Sequence, residues 1–546
     1  MTERSVVTDL YAAFARLVAE RPDATALRYR TGGRYARLSY AELAERGDAY
    51  TRALAHAGVR RGMRACVLVP PGPELAPLVF ALVRLGAVGV FVDPGLPLPA
   101  LKACLAEAAP EVFIGIPRAH AARLALGWAR RTVRIPIAVG RPWPGPSLDD
   151  LCAASAGSPV PEVALAPDEL AGIAFTSGST GRPKGVELRL RHLAAQVQLT
   201  RDAFGLAPGL VAMSVFPPFA LAGPVLGLDM VIPDADPVDP AAADPAALVA
   251  GIERFGVAAM FGSPAVLDAL SRHCVARGVV LGSLRTVTSA GATLDPRVAE
   301  RMRRCLPEPA GLYSAYGATE CLPVSVVESR ELLGEARRHS ERGAGSCVGR
   351  PLAAHLVRVI RTVDGPIATW SDELCVPDGA VGEVTVAGPS VSERYHARPA
   401  ETALGKIHEK HPAGSRVVHR TGDLGWLDER GRLWFCGRLA QRVRTAAGDL
   451  CTEQVEPVAN TVTGVRRTAL VGVGDAGEQV PVLCVEVERG ARRERVRAEL
   501  LDLLAGFPHT AGIRQVLFHP RFPVDVRHRA KIGRERLARW AAGRRR

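Results

Sequence analysis

The stretch FTSGSTGRPKGV, Phe175 to Val186, places three glycines, four hydroxyl side chains and a lysine within twelve residues. Glycines allow backbone turns that other residues resist, and they let ligand oxygens approach the main chain. Consecutive N–H groups in such a loop form an anion-binding nest, to which the hydroxyls add donors and the lysine adds a positive charge. A loop of this composition is by itself often an ordinary flexible loop, but the Pro-Lys-Gly ending favours a phosphate site. It lacks the Gly-Lys-Ser/Thr ending of the common P-loop. Its candidate ligand-binding residues are Thr176, Ser177, Gly178, Ser179, Thr180, Gly181 and Lys184.

The segments before this loop alternate between strand-like and helix-like patterns. The apolar runs MRACVLVP, AVGVFVDP and EVFIGI are typical of buried strands, and PELAPLVFALVRLG and PLPALKACLAEAAP between them are typical of helices. This order predicts a parallel sheet with helices on its faces. The most apolar stretch, Leu75 to Val92, contains Pro77 and Arg84, so it predicts a buried helix and strand in preference to a membrane span.

The pattern changes near Arg438. GWLDERGRLWFCGR, Gly425 to Arg438, predicts two short strands around a turn. Beyond it, RRTALVGVGD, VPVLCVEVERG and IRQVLFHP are typical of strands and ARRERVRAELLDLLAGF of a helix. We therefore expect an α/β protein with a large N-terminal domain of parallel and mixed sheets flanked by helices, residues 1–437, and a small α+β domain, residues 438–546.

Composition restricts the class of protein. The chain has 546 residues, of which 48% are hydrophobic and 23% charged, which is typical of a globular protein with more than one domain. Eleven cysteines without a CxxC pair favour a reduced, cytoplasmic protein, and the N-terminus lacks the apolar core of a signal peptide. The net charge of +13 is spread over many arginines with no nucleic-acid fold signature. We expect no nucleic-acid partner, while a basic surface is compatible with peripheral contact with anionic membranes.

Three further motifs carry groups suited to a nucleotide. In SAYGATE, Tyr316 is suited to stack on a base, and Thr319 and Glu320 are suited to hold Mg²⁺. In HRTGDLGWL, Asp423 offers two oxygens to a ribose diol, and Arg438 is the next strong donor. Lys531 lies in a predicted loop before the last helix. Each motif alone is equally a core tyrosine, a turn aspartate, or a surface arginine or lysine.

Taken in order, the motifs resemble the ANL superfamily of adenylate-forming enzymes, which includes acyl-CoA synthetases, peptide-synthetase adenylation domains and luciferases. FTSGSTGRPKGV is similar to its phosphate loop, SAGATL to its adenine-side strand, YGATE to its Mg²⁺ motif and RTGDLGWLDERGRLWFCGR to its ribose and domain-junction motif. Lys531 matches its C-terminal catalytic lysine. The resemblance covers essentially the whole chain.

The resemblance implies ATP and Mg²⁺ as cofactors and a mobile small domain that delivers Lys531. A carboxylate attacks the α-phosphorus of ATP and pyrophosphate leaves, a reaction that needs positioning and charge neutralisation. It implies catalytic roles for Lys531, Thr176 and Glu320, with Glu320 also as the metal ligand. The remaining nucleotide-binding residues that it implies are Gly291, Ala292, Thr293, Tyr316, Gly317, Thr319, Asp423 and Arg438.

Departures from the acyl-CoA synthetase pattern narrow the choice among the classes of adenylate-forming enzyme. FPPFALAGP, with Phe216 and Phe219, has Ala220 where acyl-CoA synthetases often carry a histidine. Beyond Arg438 the chain has Ala440 and Gln441 in place of the usual hinge and acidic residues. Longer strings such as EVFIGIPRAHAARLALGW, YGATECLPVSVVESREL and FPVDVRHRAKIGRERLA resemble the β-lactone synthetases of bacterial long-chain olefin biosynthesis. Phe216, Phe219 and Ala220 are the expected substrate-pocket residues.

That resemblance implies a long-chain 2-alkyl-3-hydroxy acid as substrate, whose β-hydroxyl closes onto the acyl-adenylate to give a β-lactone. It also implies an assembly with a condensing enzyme, a reductase and a lactone decarboxylase. The alternative is a long-chain acyl-CoA or acyl-carrier ligase, which shares the first half-reaction. A third interpretation is a basic nucleotide-binding regulator or nucleic-acid binder without turnover, against which Glu320 and Lys531 argue. The sequence assigns no base for lactone closure, and His192 is interpreted as structural.

Overall fold

The computed structural model describes residues 10–176, 182–236, 239, 242–412, 414–525 and 531–544. The strands are β1 (Thr25–Thr31), β2 (Arg34–Ser39), β3 (Arg64–Leu68), β4 (Val88–Phe91), β5 (Val112–Gly115), β6 (Ile135–Ala138), β7 (Leu170–Thr176), β8 (Lys184–Arg189), β9 (Val211–Ser214), β10 (Asp229–Val231), β11 (Ala259–Phe261), β12 (Thr286–Ala290), β13 (Gly311–Tyr316), β14 (Ser325–Glu328), β15 (Ser346–Pro351), β16 (Leu356–Ile360), β17 (Gly382–Ala387), β18 (Lys406–His411), β19 (Gly414–Leu427), β20 (Leu433–Arg438), β21 (Val443–Thr445), β22 (Gly448–Leu450), β23 (Val465–Val473), β24 (Val480–Val487) and β25 (Gln515–Phe518). The helices are α1 (Leu10–Glu20), α2 (Tyr40–His56), α3 (Leu75–Arg84), α4 (Leu98–Ala108), α5 (Pro117–Leu126), α6 (Leu148–Ala154), α7 (Leu190–Phe204), α8 (Pro217–Ala222), α9 (Pro245–Phe255), α10 (Pro264–Arg277), α11 (Pro296–Cys305), α12 (Ser329–Glu331), α13 (Arg337–Ser340), α14 (Pro399–Gly405), α15 (Thr452–Ala459), α16 (Arg493–Ala505) and α17 (Arg534–Ala542).

The first sheet has six strands in the order β6-β5-β3-β4-β7-β8. Strands β3 to β7 pair in parallel, and only β8 is antiparallel to its neighbour. Helices α3 and α4 are the crossovers, as the strand–helix rhythm predicts. Gly86 follows α3 with a positive φ of 65°, a conformation that glycine adopts without strain, and the chain turns there into β4. The predicted parallel sheet is confirmed, and Leu75 to Val92 forms the expected helix and buried strand.

The second sheet runs in the order β16-β17-β19-β20-β15-β14-β13-β12-β11-β9-β10-β1-β2, with β18 paired to β19. Its part from β1 through β10, β9, β11, β12 and β13 is parallel, so the carboxyl ends of β12 and β13 lie at one edge. From β14 onward the pairing is antiparallel, and β19 and β20 form the predicted hairpin. This hairpin ends at Arg438, where the change of pattern was expected.

The chain beyond Arg438 forms a three-stranded sheet, β23-β24-β25, with α15, α16 and α17 packed against it. Leu470, Leu483 and Leu500 are fully buried in its own core cluster. These strands and helices are of the α+β kind that the sequence predicts, while the domain boundary at Arg438 stays a prediction. This small unit contacts the larger part through Ser346, whose hydroxyl donates to Glu453, and through Arg297, whose guanidinium donates to the carbonyls of Val465 and Arg466.

Two further features agree with the composition. All eleven cysteines are free thiols, and most are buried. Within the part of the chain that the structure describes, no helix is long and apolar enough to span a bilayer.

Candidate active site

One large cavity of about 1510 Å³ gathers most of the predicted site residues. It is bounded by the carboxyl ends of β3 and β4 in the first sheet and of β12 and β13 in the second, the position at which parallel sheets bind ligands. The predicted residues that line it are Lys184, Phe216, Phe219, Gly291, Tyr316, Gly317, Thr319, Glu320, Arg438 and Lys531.

The phosphate loop begins and ends on paired strands. Thr176, the last residue of β7, pairs with Lys184, the first residue of β8, in an antiparallel register. The predicted residues Ser177, Gly178, Ser179, Thr180 and Gly181 lie outside the described part of the chain. The strand register brings both ends of the loop together and places Lys184 at the cavity.

Glu320 lies in a cluster of charged and aromatic side chains. Its carboxylate accepts a hydrogen bond of 2.8 Å from the Tyr395 hydroxyl. Burial alone would raise the pKa of Glu320, but the basic His419 and Lys406 and the Tyr395 hydroxyl outweigh it and hold this pKa below its ordinary value. Glu320 is therefore an ionised carboxylate at the cavity wall, which is the chemical form that a hard cation requires.

Asp423 has one satisfied and one unsatisfied oxygen. Tyr316 donates to Oδ2 at 2.7 Å, and the Arg438 Nε lies 3.0 Å from Oδ1. Oδ1 is nevertheless buried without an aligned hydrogen bond from any described residue. Burial raises the pKa of Asp423, and the Arg438 charge opposes that rise. Because its contact with Arg438 is an ion pair without an aligned hydrogen bond, Oδ1 retains the capacity to accept a hydrogen bond from a ligand hydroxyl.

Lys531 reaches the same cavity from the C-terminal unit. Its backbone pairs with Asp525, with N–H···O distances of 2.9 Å to the carboxylate and 3.0 Å between Asp525 N and Lys531 O. Its charge opposes the rise in the pKa of Asp423 that burial causes. The small unit is therefore placed with Lys531 facing the nucleotide-type residues.

Among the predicted residues whose side chains the structure describes, four do not line the cavity: Ala220, Ala292, Thr293 and Asp423, whose neighbour Gly422 does line it. Ala292 and Thr293 follow Gly291 in the turn that leads to α11, and only Gly291 is at the cavity wall. Ala220 is buried in the core cluster around α8, while its neighbours Phe216 and Phe219 both stack on Phe261, with centroids 5.3 and 5.2 Å apart. Their binding roles stay predictions.

The cavity continues from the polar groups into an apolar region. Helix α3 contributes Val79 and Phe80 and α5 contributes Ala119 and Ala122, with Trp128 following α5. Phe14, Phe91, Leu101, Val197, Phe204 and Val225 also line it. This extent of apolar wall is suited to alkyl chains.

Tyr395, Lys406 and His419 were missed by the sequence reasoning. Tyr395 belongs to the chain before α14, and Lys406 and His419 are directly paired across β18 and β19. Burial lowers the pKa of Lys406 to about 8, against the opposing charge of Glu320, and lowers that of His419 to about 3 together with the Lys406 charge. Tyr395 and Lys406 belong to none of the quoted motifs, and KIHEKH is typical of a solvated strand. His419 adjoins the RTGD motif, and this position was the one available signal.

His192 is structural, as interpreted. Its Nδ1 accepts a 3.1 Å hydrogen bond from the Arg189 N–H at the start of α7, and its Nε2 lies 2.8 Å from Arg191. Burial and the Arg191 charge lower its pKa to about 4. Among the described residues that line the cavity there is no histidine.

Comparisons with known proteins agree with this geometry. The profile of the AMP-binding enzyme family matches residues 14–396. The olefin beta-lactone synthetase of Stenotrophomonas maltophilia (strain K279a) is 51% identical over 98% of both chains. The olefin beta-lactone synthetase of Xanthomonas campestris pv. campestris is 49% identical over 98% of both. Among solved structures, the amide bond synthetase McbA from Marinactinospora thermotolerans is similar with a TM-score of 0.78 at 25% identity, covering 98% of this chain and 100% of that chain. The chain therefore belongs to the family of AMP-binding, adenylate-forming enzymes, on the branch that contains the olefin beta-lactone synthetases.

Proposed function

We propose that the protein is an ATP-dependent β-lactone synthetase acting on a long-chain 2-alkyl-3-hydroxy acid. It adenylates the carboxylate and closes the β-hydroxyl onto the acyl-adenylate, giving a β-lactone, AMP and pyrophosphate. The observation that carries the proposal is the identity of 51% over 98% of both chains to an enzyme with that name. The continuity of the apolar part of the cavity with the polar part that Lys184, Glu320 and Arg438 line supports it.

The first half-reaction follows from the positions of these side chains. Lys184, together with the loop that precedes it, holds the departing β- and γ-phosphates. Asp423, which pairs with Arg438 at the cavity wall, accepts a ribose hydroxyl through Oδ1. Lys531 neutralises charge where the substrate carboxylate meets the α-phosphate. Fixed positive groups at the developing charge lower the barrier for phosphoryl transfer.

Glu320 fits the role of Mg²⁺ ligand. Its carboxylate is held ionised at the cavity wall, and Thr319 precedes it there. When bound, Mg²⁺ would neutralise phosphate charge. Glu320 is itself oriented by the Tyr395 hydroxyl.

The second half-reaction uses proximity. The apolar walls around Phe80, Phe91 and Trp128 hold the alkyl chains and exclude water, so the β-hydroxyl stays beside the activated carbonyl. Loss of AMP supplies the driving force for closing the four-membered ring.

A mass-balance assay tests the proposal. The protein is incubated with ATP, Mg²⁺ and a long-chain 2-alkyl-3-hydroxy acid, with and without CoA, and the products are weighed. We expect AMP and a CoA-independent product lighter than the substrate by one water. Turnover that occurs only with CoA and gives a thioester would instead identify an acyl-CoA ligase. Nucleotide binding without pyrophosphate release would identify a regulator.

We also infer a setting for the enzyme. The substrate implies a condensing enzyme and a reductase before this step, and the lactone implies a decarboxylase after it. We propose a cytoplasmic assembly of these activities, with the basic surface available for peripheral membrane contact. Co-purification of such partners from the native source tests this, and a protein that remains alone under gentle lysis would contradict it.

A further inference from the structure

Tyr395 lies between Lys184, the lysine of the phosphate loop, and Glu320, the expected metal ligand. Its ring centroid is 4.5 Å from the Lys184 Nζ, and its hydroxyl donates to the Glu320 carboxylate at 2.8 Å. The side chain is only 5% exposed, so both contacts are made away from bulk water. One side chain thus contacts the phosphate-loop lysine and the expected metal ligand.

The backbone around Tyr395 is fixed to both sides of the site. Tyr395 forms an isolated antiparallel bridge with Val186 on β8. The His396 N–H donates to the Gly185 carbonyl at 2.7 Å, and the Glu187 N–H donates to the Arg394 carbonyl at 3.2 Å. In the other direction, the Ser392 N–H donates to the Glu320 carbonyl at 2.8 Å. Residues 392–396, the bridging segment, therefore join the strand of Lys184 to the loop of Glu320.

Lys406 supports the bridging segment from beneath. Its ammonium donates to the carbonyl and hydroxyl of Ser392 and lies 5.6 Å from the Tyr395 ring centroid. Lys406 is only 3% exposed and does not line the cavity. It balances the charge of Glu320 without occupying ligand space.

The phenol ring also separates opposite charges. Among the ion pairs of the described residues, none joins Lys184 to Glu320, although both contact Tyr395. A direct pair would occupy the groups that phosphates and a metal need. An aromatic face holds an ammonium group by its quadrupole while leaving the charge available to a ligand.

We propose that Tyr395 is a positioning residue that serves the phosphate and metal subsites separately, through its ring and through its hydroxyl. The ring positions the Lys184 ammonium group to bind phosphates, and the hydroxyl orients the Glu320 carboxylate to bind the metal. This inference rests on the metal role assigned to Glu320 in the proposed function.

The hydroxyl is tested with Tyr395→Phe, which keeps the ring. The probe is Mn²⁺, whose binding in the presence of saturating α,β-methylene-ATP is measured by electron paramagnetic resonance. Loss of a group that orients a metal ligand weakens metal affinity about tenfold or more. Tyr40→Phe is the matched control, because Tyr40 is a buried tyrosine that donates to the Leu228 carbonyl outside the cavity. Mn²⁺ affinity in Y395F equal to that in Y40F and wild type would overturn the proposal.

The ring is tested without metal. In EDTA, the affinity for α,β-methylene-ATP is measured by calorimetry for Y395F, Y395L, K184M and the Y395L/K184M double variant. We expect wild-type affinity in Y395F and a roughly three- to tenfold loss in Y395L. We expect no further loss when Y395L is added to K184M, because the ring acts through the lysine. Additive losses, or wild-type affinity in Y395L, would overturn the role of the ring.

Glu320→Gln separates failure of this inference from failure of the proposed function. If E320Q binds Mn²⁺ as tightly as wild type, the metal role of Glu320 fails and the inference falls with it. If E320Q loses Mn²⁺ and Y395F does not, the inference alone is wrong. Should Y395L fail to fold, the Y395F comparison still decides the role of the hydroxyl.

Discussion

The two carboxylate oxygens of Asp423 make different contacts. Oδ2 is held by the Tyr316 hydroxyl at 2.7 Å, and Oδ1 faces the Arg438 charge without an aligned hydrogen bond. The first contact fixes the side chain, and the second oxygen can still accept a hydrogen bond from a ligand, which we propose to be the ribose. A single carboxylate thus gains orientation without losing its ability to bind.

Asp423→Asn tests that division. The change keeps the shape but removes the charge, so a charge-assisted hydrogen bond to the ribose is lost. We expect AMP affinity, measured by calorimetry, to fall about tenfold or more. Wild type should also discriminate against 2′,3′-dideoxy-AMP, and the variant should lose most of that discrimination. Equal discrimination by both proteins would contradict the ribose role.

Lys531→Ala tests the residue that the C-terminal unit contributes. Because its charge acts where charge develops during adenylation, we expect pyrophosphate exchange to fall about 100-fold or more. Binding of ATP, measured separately by calorimetry, should change little. Lys410→Ala, at an exposed position on β18, is the control. Undiminished exchange in the variant would remove the assigned role.

The sequence predicts some residues of the site and does not predict others. Lys184, Glu320, Arg438 and Lys531 belong to separate motifs, and they line one cavity as expected. Tyr395 could not be found in this way, because its role depends on its bridge to Val186 between distant segments. Lys406 could not be predicted for a related reason. A lysine in a charged strand is ordinarily solvated, and Lys406 is buried only because it pairs with His419 in the folded sheet.

Among the secondary-structure elements, the sequence likewise predicts some arrangements and not others. Short apolar runs around α3 and α4 predicted the parallel sheet, because strands buried on both faces are continuously apolar. The sequence could not predict that strands of the two sheets line the same cavity. It depends on which strand edges meet, a long-range property that no local pattern encodes.

Helix α5 offers a test of the apolar region. Ala122 lines the cavity, and its neighbour Ala121 is exposed on the same helix. We expect Ala122→Trp to reduce turnover of substrates with long alkyl chains at least tenfold and to affect short ones little, because the larger side chain fills space that long chains need. Ala121→Trp is the matched control. Chain-length profiles that coincide for both variants would exclude this wall from substrate binding.

At the scale of the whole molecule, the two parts meet at Ser346 and Glu453. The Ser346 hydroxyl donates to the Glu453 carboxyl group at 2.6 Å. Burial and the nearby Glu456 charge raise the pKa of Glu453 to about 7, while the Ser346 hydroxyl opposes the rise. This carboxyl group is therefore partly protonated near neutral pH, at a contact between the two parts.

The pH dependence of stability tests this contact. An unfolded glutamate titrates near 4.5, so between pH 4.5 and about 7 the folded state binds more protons and the free energy of unfolding falls as pH rises. Glu453→Gln removes the ionisation, so wild type should lose about 3 kcal/mol relative to the variant from pH 4.5 to pH 8. Denaturant unfolding measures this difference, and Glu494→Gln on the exposed side of α16 is the control. Parallel pH profiles for E453Q and wild type would contradict the shift.

The register of the β19–β20 hairpin has a consequence for the order of events in a catalytic cycle. Asp423 and Arg438 are cross-strand partners, and Arg438 is the last residue before the chain enters the C-terminal unit. The residue assigned to the ribose and the residue at the junction therefore share one rigid pair of strands. If the small unit rotates about Arg438, the charge that faces the Asp423 carboxylate changes, and if a nucleotide leaves Asp423, the partner of Arg438 changes. We therefore expect nucleotide release to be coupled to any movement of the small unit.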